Sequence, residues 1–350
     1  MEVVQRNNEQ IFTWAPVLGI CGFSGSGKTS LIEQIALAQT SIGRRICVLK
    51  HGTHKFDLDR EGKDSYRFFQ SGADVQLQND TELCHRQHSD PSVNIIQVIR
   101  RLAPNYDGIL LEGHKGINIP HKVWLMHPAE SEMPGVPGGF EMVLERDADR
   151  FDRTNRLFES IIKSSFEDTA LNGAILIGGD SRRYGRPKHL VETDGKTWLE
   201  RTVEVVKPFV HEIVVVGKGD LPPNCQHLPR LWDVPDMAGP VAGIRSIFRW
   251  DPLRSWLVLP CDLVHLNAAA IEWLIARRHM SYRAIMPKLS EKSPLEPLFA
   301  YYDYRCGPLF EQVESPQQIA SFSGIASPVV PPGLAGAWDN FNQPRKRLES

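Results

Sequence analysis

The sequence predicts an α/β protein made of two doubly wound domains. Its 350 residues are enough for two domains of ordinary size. Each half alternates short apolar runs with segments of helical spacing, which indicates parallel strands joined by helices. A glycine-rich loop follows the first run of each half, at GFSGSGKT (22–29) and at LIGGDSRRYGRPK (176–188). We therefore expect an amino-terminal domain over 1–166, a linker over 167–172 and a carboxyl-terminal domain over 173–350.

Apolar runs and helical periodicity predict the elements of both halves in chain order. We expect first-half strands over 17–23, 45–50, 107–113 and 121–126, the second of them buried, and helices over 29–43, 94–103 and 151–166. The polar stretch 51–73 is expected to form a loop and then a helix, and the proline- and glycine-rich stretch 128–139 a mobile surface loop. In the second half we expect a strand over 173–179 that runs into the glycine-rich loop, a strand and turn over 211–219, a strand and loop over 255–266, and strands over 283–289 and 297–303. We expect helices over 198–210 and 268–279, and a turn into a helix over 239–250.

Composition excludes several classes of protein. The formal net charge is −2 and the isoelectric point about 6.6, which argues against a general nucleic-acid binder. The six cysteines have no CxxC spacing, so neither a disulfide framework nor a zinc ribbon is expected, and the compartment should be a reducing cytoplasm. LCHRQH (83–88) is interpreted as a polar surface segment. No apolar stretch has the length of a signal peptide or a membrane span, so no membrane partner is expected.

The first glycine-rich loop matches the pattern G-x4-G-K-[ST], and the order strand, loop, helix around it supports a phosphate site. Gly22, Gly25 and Gly27 allow successive backbone N–H groups to turn toward a phosphate, and the helix that follows presents its positive end. Lys28 would reach the terminal phosphates. The Thr29 hydroxyl would bind Mg²⁺.

A carboxylate near such a metal is usual in this class of site. Glu112 ends a predicted strand, DGILLEG, at the sheet edge where ligands gather. Asp57 and Asp59 are alternatives, with a solvated loop as the competing interpretation. His51 and His54 are interpreted as surface or packing residues.

The first half resembles the molybdopterin-guanine dinucleotide biosynthesis adaptor protein, MobB. The resemblance rests on the phosphate loop, on VLKHGTHKFDLDREGKDSYRFFQSGA (48–73) and on ILLEGHKG (109–116), and it covers most of 15–165. It implies a P-loop NTPase-like domain that binds GTP, hydrolyses it weakly and has a helper role.

The second glycine-rich loop lacks the G-x4-G-K-[ST] spacing, but its glycines and cations also suit phosphate binding. Gly178 and Gly179 allow the backbone to pass close to a nucleotide. Arg182, Arg183 and Lys188 supply positive charge of the kind that binds phosphate oxygens.

Three later features support a second nucleotide site. Asp233 precedes a Gly-Pro turn and a predicted helix, and Asp262 ends an apolar strand, which suits a metal-binding carboxylate. Asn340 and Asn342 lie near the carboxyl terminus. Cys261 is not expected to act as a nucleophile, because the pattern places no base beside it.

The second half resembles the molybdenum cofactor guanylyltransferase, MobA. The shared elements are the L-x-G-G-x-S-x-R-x-G-x-x-K loop, the G-P-x-A-G turn, the P-C-D strand end and the N-x-N-x-P segment, and they span 173–349. Pro187 stands where the family usually has Asp, and Gly217 where it usually has Asn. The resemblance implies a Rossmann-like nucleotidyltransferase domain.

The resemblance implies that a terminal phosphate of Mo-molybdopterin attacks the α-phosphate of GTP, releasing pyrophosphate. Asp262 would hold Mg²⁺, and Lys188 with Arg182 or Arg183 would balance phosphate charge. Other residues implied in nucleotide binding are Leu176, Ile177, Gly178, Gly179 and Asp233. A molybdoenzyme or cofactor-insertion protein would be a further partner. Two alternatives stay open: a transferase of this fold that uses CTP or a sugar phosphate, and a non-catalytic GTP-binding adaptor.

Overall fold

The structure is a computed structural model, and it describes residues 15–50, 60–88, 90, 92–127, 139–178, 187–235, 237 and 239–340. The chain forms two compact units, which divide after Ile161, with the short segment Pro104–Tyr106 assigned to the second unit.

A five-stranded, wholly parallel sheet forms the centre of the first unit, with the strand order β2-β5-β1-β6-β7. A separate antiparallel hairpin joins β3 and β4. The strands are β1 (Val17–Gly22), β2 (Ile46–Lys50), β3 (Val75–Gln78), β4 (Leu83–Arg86), β5 (Gly108–Glu112), β6 (Lys122–Leu125) and β7 (Met142–Leu144). The helices are α1 (Lys28–Ser41), α2 (Asp64–Gln70), α3 (Ile95–Leu102) and α4 (Arg150–Asp168), whose residues from Ile162 onward belong to the second unit.

The position of each strand in this sheet decides its burial. The central strands β1, β5 and β6 are almost completely buried, as parallel strands covered on both faces should be. The prediction that β2 is buried was wrong: it is an edge strand, and Val48 is 43% exposed. The segment LCHRQH lies largely on the surface, with its first four residues forming β4.

The predicted linker over 167–172 is mostly regular structure. Helix α4 ends at Asp168, and the next strand begins at Leu171. Thr169 continues the helical pattern, with both its N–H and its hydroxyl donating to the carbonyl of Ser165. The position of the boundary between the two domains stays a proposal.

A seven-stranded mixed sheet forms the centre of the second unit, with the order β12-β11-β8-β13-β15-β14-β16. Its strands are β8 (Leu171–Leu176), β11 (Ile213–Val216), β12 (Arg230–Leu231), β13 (Ser255–Pro260), β14 (Ala284–Ile285), β15 (Ala300–Tyr302) and β16 (Ile325–Ala326); β9 (Glu192–Thr193) and β10 (Lys196–Thr197) form a separate hairpin. Its helices are α5 (Trp198–Val206), α6 (Pro240–Trp250), α7 (Ala268–Ile275) and α8 (Gly307–Phe310).

The second sheet is parallel only in part. Strands β11, β8 and β13 run parallel, as predicted, and β12, which was not predicted, pairs parallel with β11. Strand β15 runs antiparallel to both β13 and β14, which the alternation of strands and helices did not predict. Apolar residues on the two faces form two separate core clusters. The helix predicted over 198–210 ends at Val206, and a short 3₁₀ turn containing Pro208 follows it, because proline cannot donate to a helix.

All six cysteines are unbridged. Among the helices that the structure describes, none has the length and apolarity that crossing a bilayer requires.

Candidate functional site

A cavity of about 320 Å³ lies at the carboxyl ends of β8, β11 and β13 in the second unit. It is smaller than a cavity of about 650 Å³ in the first unit, but it collects most of the residues predicted for the second nucleotide site. It is lined by Leu176, Ile177, Gly178, Lys188, Val216, Asp233, Gly239, Pro240, Gly243, Pro260, Cys261, Asp262, Leu298 and Asn340. Ligands bind at this edge in open α/β sheets.

A short polar contact in the cavity joins two of its predicted functional groups. The Lys188 ammonium nitrogen lies 2.6 Å from Oδ2 of Asp262, and the two side chains are only 18% and 10% exposed. Asp262 follows β13, and Lys188 opens a 3₁₀ turn that is closed by a hydrogen bond from the N–H of Leu190 to the carbonyl of Pro187. The fold thus brings a cation and a carboxylate together from positions 74 residues apart.

A buried histidine holds the turn that carries Lys188. The His189 side chain is 1% exposed, and its Nε2 lies 2.8 Å from the carbonyl of Asp220. Burial lowers the pKa of His189, and the charge of Arg230 lowers it further. The shift favours the neutral ring, which packs against the turn at Gly219 and Asp220.

Asp233 lies between β12 and α6, with its carboxylate turned toward the helix. Oδ1 is 3.3 Å from the position that a Cβ atom on Gly243 would occupy, so the glycine leaves the carboxylate room. Burial raises the pKa of Asp233, and Lys218 opposes this shift. Asn340 reaches the cavity because it forms an antiparallel bridge with Leu263, next to Asp262.

The backbone around Ile177 accounts for the unusual glycine at position 217. Gly217 has φ +121°, and a Cβ atom there would lie 1.8 Å from the carbonyl oxygen of Ile177. Gly217 and Ile177 each lie one residue beyond the end of β11 and β8, and in this backbone conformation the Ile177 carbonyl occupies the place of a side chain at position 217. The Asn that is usual in MobA proteins would therefore require a different local backbone.

Cys261 does not have the character of a nucleophile. It is 4% exposed, and burial raises the pKa of its thiol to about 12, with the charge of Asp262 contributing in the same direction. A thiol of this kind stays protonated at neutral pH.

In the first unit, the predicted phosphate loop connects β1 to α1. Gly22, Gly25 and Gly27 all have positive φ, and a Cβ atom on Gly22 would lie 2.7 Å from the carbonyl of Leu125. The Lys28 ammonium donates to the carbonyls of Gly22, at 3.0 Å, and Phe23, at 2.7 Å. The lysine therefore folds back over its own loop, as a phosphate-binding lysine would have to do.

Thr29 and Glu112 lie at the same edge of this sheet. Thr29 is exposed in the first turn of α1, and Glu112 pairs in register with Ile20 of the central strand. The Glu112 carboxylate, however, lies 3.3 Å from the Lys50 ammonium, so it already has a partner.

Arg150 is a residue of this site that the sequence did not reveal. It is 7% exposed, and its guanidinium donates to the carbonyls of Ser26 at 2.8 Å, Glu145 at 2.9 Å and Leu144 at 3.2 Å. An arginine at a helix start is usually solvated, so no local signal could have identified this one. It connects the phosphate loop to the segment after β7.

Several predicted residues lie outside the described part of the chain. They are Gly179, Arg182, Arg183 and Asn342 of the second half, and His51, His54, Asp57 and Asp59 of the first; most of the stretch 128–139 is also outside it.

Two family models match the chain in the predicted order. "Molybdopterin guanine dinucleotide synthesis protein B" matches residues 17–136, and "MobA-like NTP transferase domain" matches residues 173–326. The chain is similar to the probable molybdenum cofactor guanylyltransferase of Bacillus cytotoxicus, at 32% identity over 37% of this chain and 67% of that protein. A relative with the same description in Bacillus mycoides is 31% identical over 38% of this chain and 68% of its own length.

Solved structures are similar to each half separately. Molybdopterin-guanine dinucleotide biosynthesis protein A of Archaeoglobus fulgidus has 24% identity and a TM-score of 0.39, covering 49% of this chain and 93% of its own. MobB of Bacillus subtilis has 23% identity and a TM-score of 0.32, covering 42% of this chain and 97% of its own. By its sequence relatives and the matched family models, the chain belongs to the molybdenum cofactor guanylyltransferase family, with a MobB region ahead of a MobA-like nucleotidyltransferase domain.

Proposed function

We propose that the second unit transfers GMP from GTP to the terminal phosphate of Mo-molybdopterin. An anionic phosphate oxygen of the pterin forms a bond to the α-phosphorus, and the bond from that phosphorus to the α–β bridging oxygen breaks. The products are the guanine dinucleotide cofactor and pyrophosphate. No base is needed, because the attacking oxygen carries no proton at neutral pH. The observation that carries the proposal is the contact of Lys188 with Asp262 in the strand-end cavity.

Lys188 and Asp262 would exchange partners when the nucleotide enters. The ammonium would turn from the carboxylate to the α-phosphate, and it would neutralise charge there and on the departing pyrophosphate. The released carboxylate of Asp262 would hold Mg²⁺. The donor chemistry fits this ion, because Mg²⁺ in nucleotide sites is bound through one or two carboxylates together with substrate phosphates and water. When bound, Mg²⁺ would lower the repulsion between the reacting phosphates.

The other residues of the cavity would bind and orient the nucleotide. Backbone groups of Leu176, Ile177 and Gly178 would line the guanine or ribose, and Asp233 would contact the nucleotide. Gly179, Arg182 and Arg183 would continue the same loop along the triphosphate. Holding the two substrates in line for reaction is the main work that a protein does in such a transfer.

The first unit would bind a second GTP through its phosphate loop and assist the transferase as an adaptor. Lys28 would contact the terminal phosphates, and Thr29 with Glu112 would hold Mg²⁺, for which Glu112 must leave Lys50. The product would pass to a molybdoenzyme or a cofactor-insertion protein. We place this function in the cytoplasm, where six unbridged cysteines are ordinary.

Pyrophosphate release by the full chain tests the transferase proposal. With Mo-molybdopterin, Mg²⁺ and GTP, the protein should release pyrophosphate and form the guanine dinucleotide, and omission of the pterin should abolish both. CTP in place of GTP should give little product. Equal turnover with CTP would instead support a cytidylyl transferase, and binding of GTP without any product would support the adaptor alternative.

A further inference from the structure

The largest cavity described above, about 650 Å³, begins at the phosphate loop of the first unit. Gly27, the last residue of that loop, lines one end of it. From there the cavity follows α1 past Ser30 and Gln34, and its opposite wall is the segment after β7, with Arg146 and Asp147. The cavity is therefore continuous with the place where phosphates would bind.

Arg150 fixes the two walls of this cavity relative to each other. Its guanidinium donates to the carbonyl of Ser26 on the phosphate loop and to the carbonyls of Leu144 and Glu145, which precede the opposite wall. The cation is 7% exposed, and each of these partners is a backbone oxygen. A movement of either wall would leave a buried guanidinium without its acceptors, which is costly.

The size and chemistry of the cavity fit the nucleoside part of a nucleotide. Its volume lies within the roughly 300–1,000 Å³ range of small-molecule sites. Leu31 and Phe151 contribute apolar surface to its lining, and Asp147 contributes a carboxylate. Phosphates bound at the loop would leave the attached ribose and base to extend along an adjoining surface.

We propose that this cavity binds the ribose and base of the nucleotide whose phosphates occupy the loop, and that Asp147 selects guanine. The proposal rests on the proposed nucleotide binding by Lys28 and the loop. Guanine presents two donors side by side, the ring N1–H and the exocyclic amino group, and one ionised carboxylate can accept from both. Adenine presents an unprotonated N1 to the same carboxylate, so two acceptors would face each other.

Asp147 is available for this role. It forms an ion pair with Arg153, with Oδ2 and Nη1 4.0 Å apart and both side chains more than two-fifths exposed. Its charge also acts on the buried Arg150, but the hydrogen bonds of that guanidinium described above go to backbone carbonyls. An exposed pair at this distance contributes little to folding. A change at Asp147 should therefore alter ligand binding without unfolding the unit.

Calorimetric titration of the full chain with nucleotides tests the proposal. Because the chain has two proposed nucleotide sites, binding at the loop site is identified as the part of the signal that Lys28→Met removes. At that site, Asp147→Asn should weaken GTP binding by roughly tenfold or more. The same variant should bind xanthosine triphosphate better than the unchanged protein does, because the amide can donate to the 2-oxo group and accept from N1–H. A gain of this kind cannot come from misfolding.

Asp152→Asn is the matched control. It removes an exposed carboxylate from the first turn of α4, five residues after Asp147 and outside the cavity. It should change neither the affinity for GTP nor that for xanthosine triphosphate. If inorganic tripolyphosphate and GTP bind the loop site equally and Asp147→Asn changes neither, the base-binding proposal is wrong while binding at the loop stands. If Lys28→Met removes no nucleotide binding, the function proposed for the loop fails as well.

Discussion

Replacement of Asp262 by asparagine tests the proposed transferase site most directly. The amide has the shape of the carboxylate but no charge, so it cannot neutralise a metal ion. A metal that stabilises reacting phosphates contributes several kcal/mol to the transition state, and each 1.36 kcal/mol is a tenfold change in rate. We therefore expect turnover to fall by about two to four orders of magnitude.

The stability of this variant should change much less than its activity. Asp262→Asn weakens the contact to Lys188, whose side chain is 18% exposed and can still reach water. A charged hydrogen bond in such a partly buried place contributes about 1–3 kcal/mol. The second unit should therefore remain folded at 25 °C, and the loss of activity can be assigned to the site.

Asp251→Asn provides the matched control for this comparison. As whole residues Asp251 and Asp262 are each 7% exposed, and Asp251 also contacts a cation, Arg254, at 3.5 Å. It lies at the carboxyl end of α6, however, whereas the cavity adjoins the amino end of that helix. Pyrophosphate release at saturating GTP and Mg²⁺ should be near normal in this control. Near-normal release by Asp262→Asn, at an unchanged free energy of unfolding, would refute the assigned role.

Lys28→Met should remove nucleotide binding by the first unit, measured by calorimetry, while pyrophosphate release by the second unit stays within about twofold of normal. Gly217→Ala should lower the free energy of unfolding by about 2–5 kcal/mol in urea titrations, because at φ +121° the new Cβ would meet the Ile177 carbonyl. The control Gly195→Ala has φ +75° and no atom within 4 Å of the new Cβ, so it should lower the free energy of unfolding by only about 1–2 kcal/mol. The pKa of His189 is lower in the folded chain than in the unfolded chain. Below about pH 6.5, therefore, the unfolded chain binds a proton at His189 more readily than the folded chain does. Stability should therefore fall as pH drops below that value, by at most about 1.4 kcal/mol per pH unit, and His189→Gln should reduce this pH dependence.

A specific result would contradict each of these three predictions. Collapse of transfer in a folded Lys28→Met protein would mean that the two nucleotide sites depend on each other. Equal stability losses in Gly217→Ala and Gly195→Ala would mean that the Ile177 carbonyl does not limit position 217. An unchanged slope of stability against pH in His189→Gln would remove His189 as the source of acid sensitivity.

The sequence by itself determined which elements form and in what order. Hydrophobic periodicity and glycine placement are local properties, so they identified the phosphate loop at 22–29, its flanking strand and helix, and most later strands and helices. The same local patterns identified Lys188, Asp233 and Asp262 as candidates, because each lies at the end of a predicted strand or beside a glycine-rich turn, where ligands bind in α/β sheets.

Only the tertiary structure decided which of these residues meet. The ion pair of Lys188 with Asp262 joins positions 74 residues apart, and its geometry depends on how β8 and β13 align. The burial of Arg150 and the antiparallel direction of β15 likewise result from packing and chain crossovers. Local sequence carries no record of such contacts, because the free energy that selects them comes from surfaces buried between distant segments.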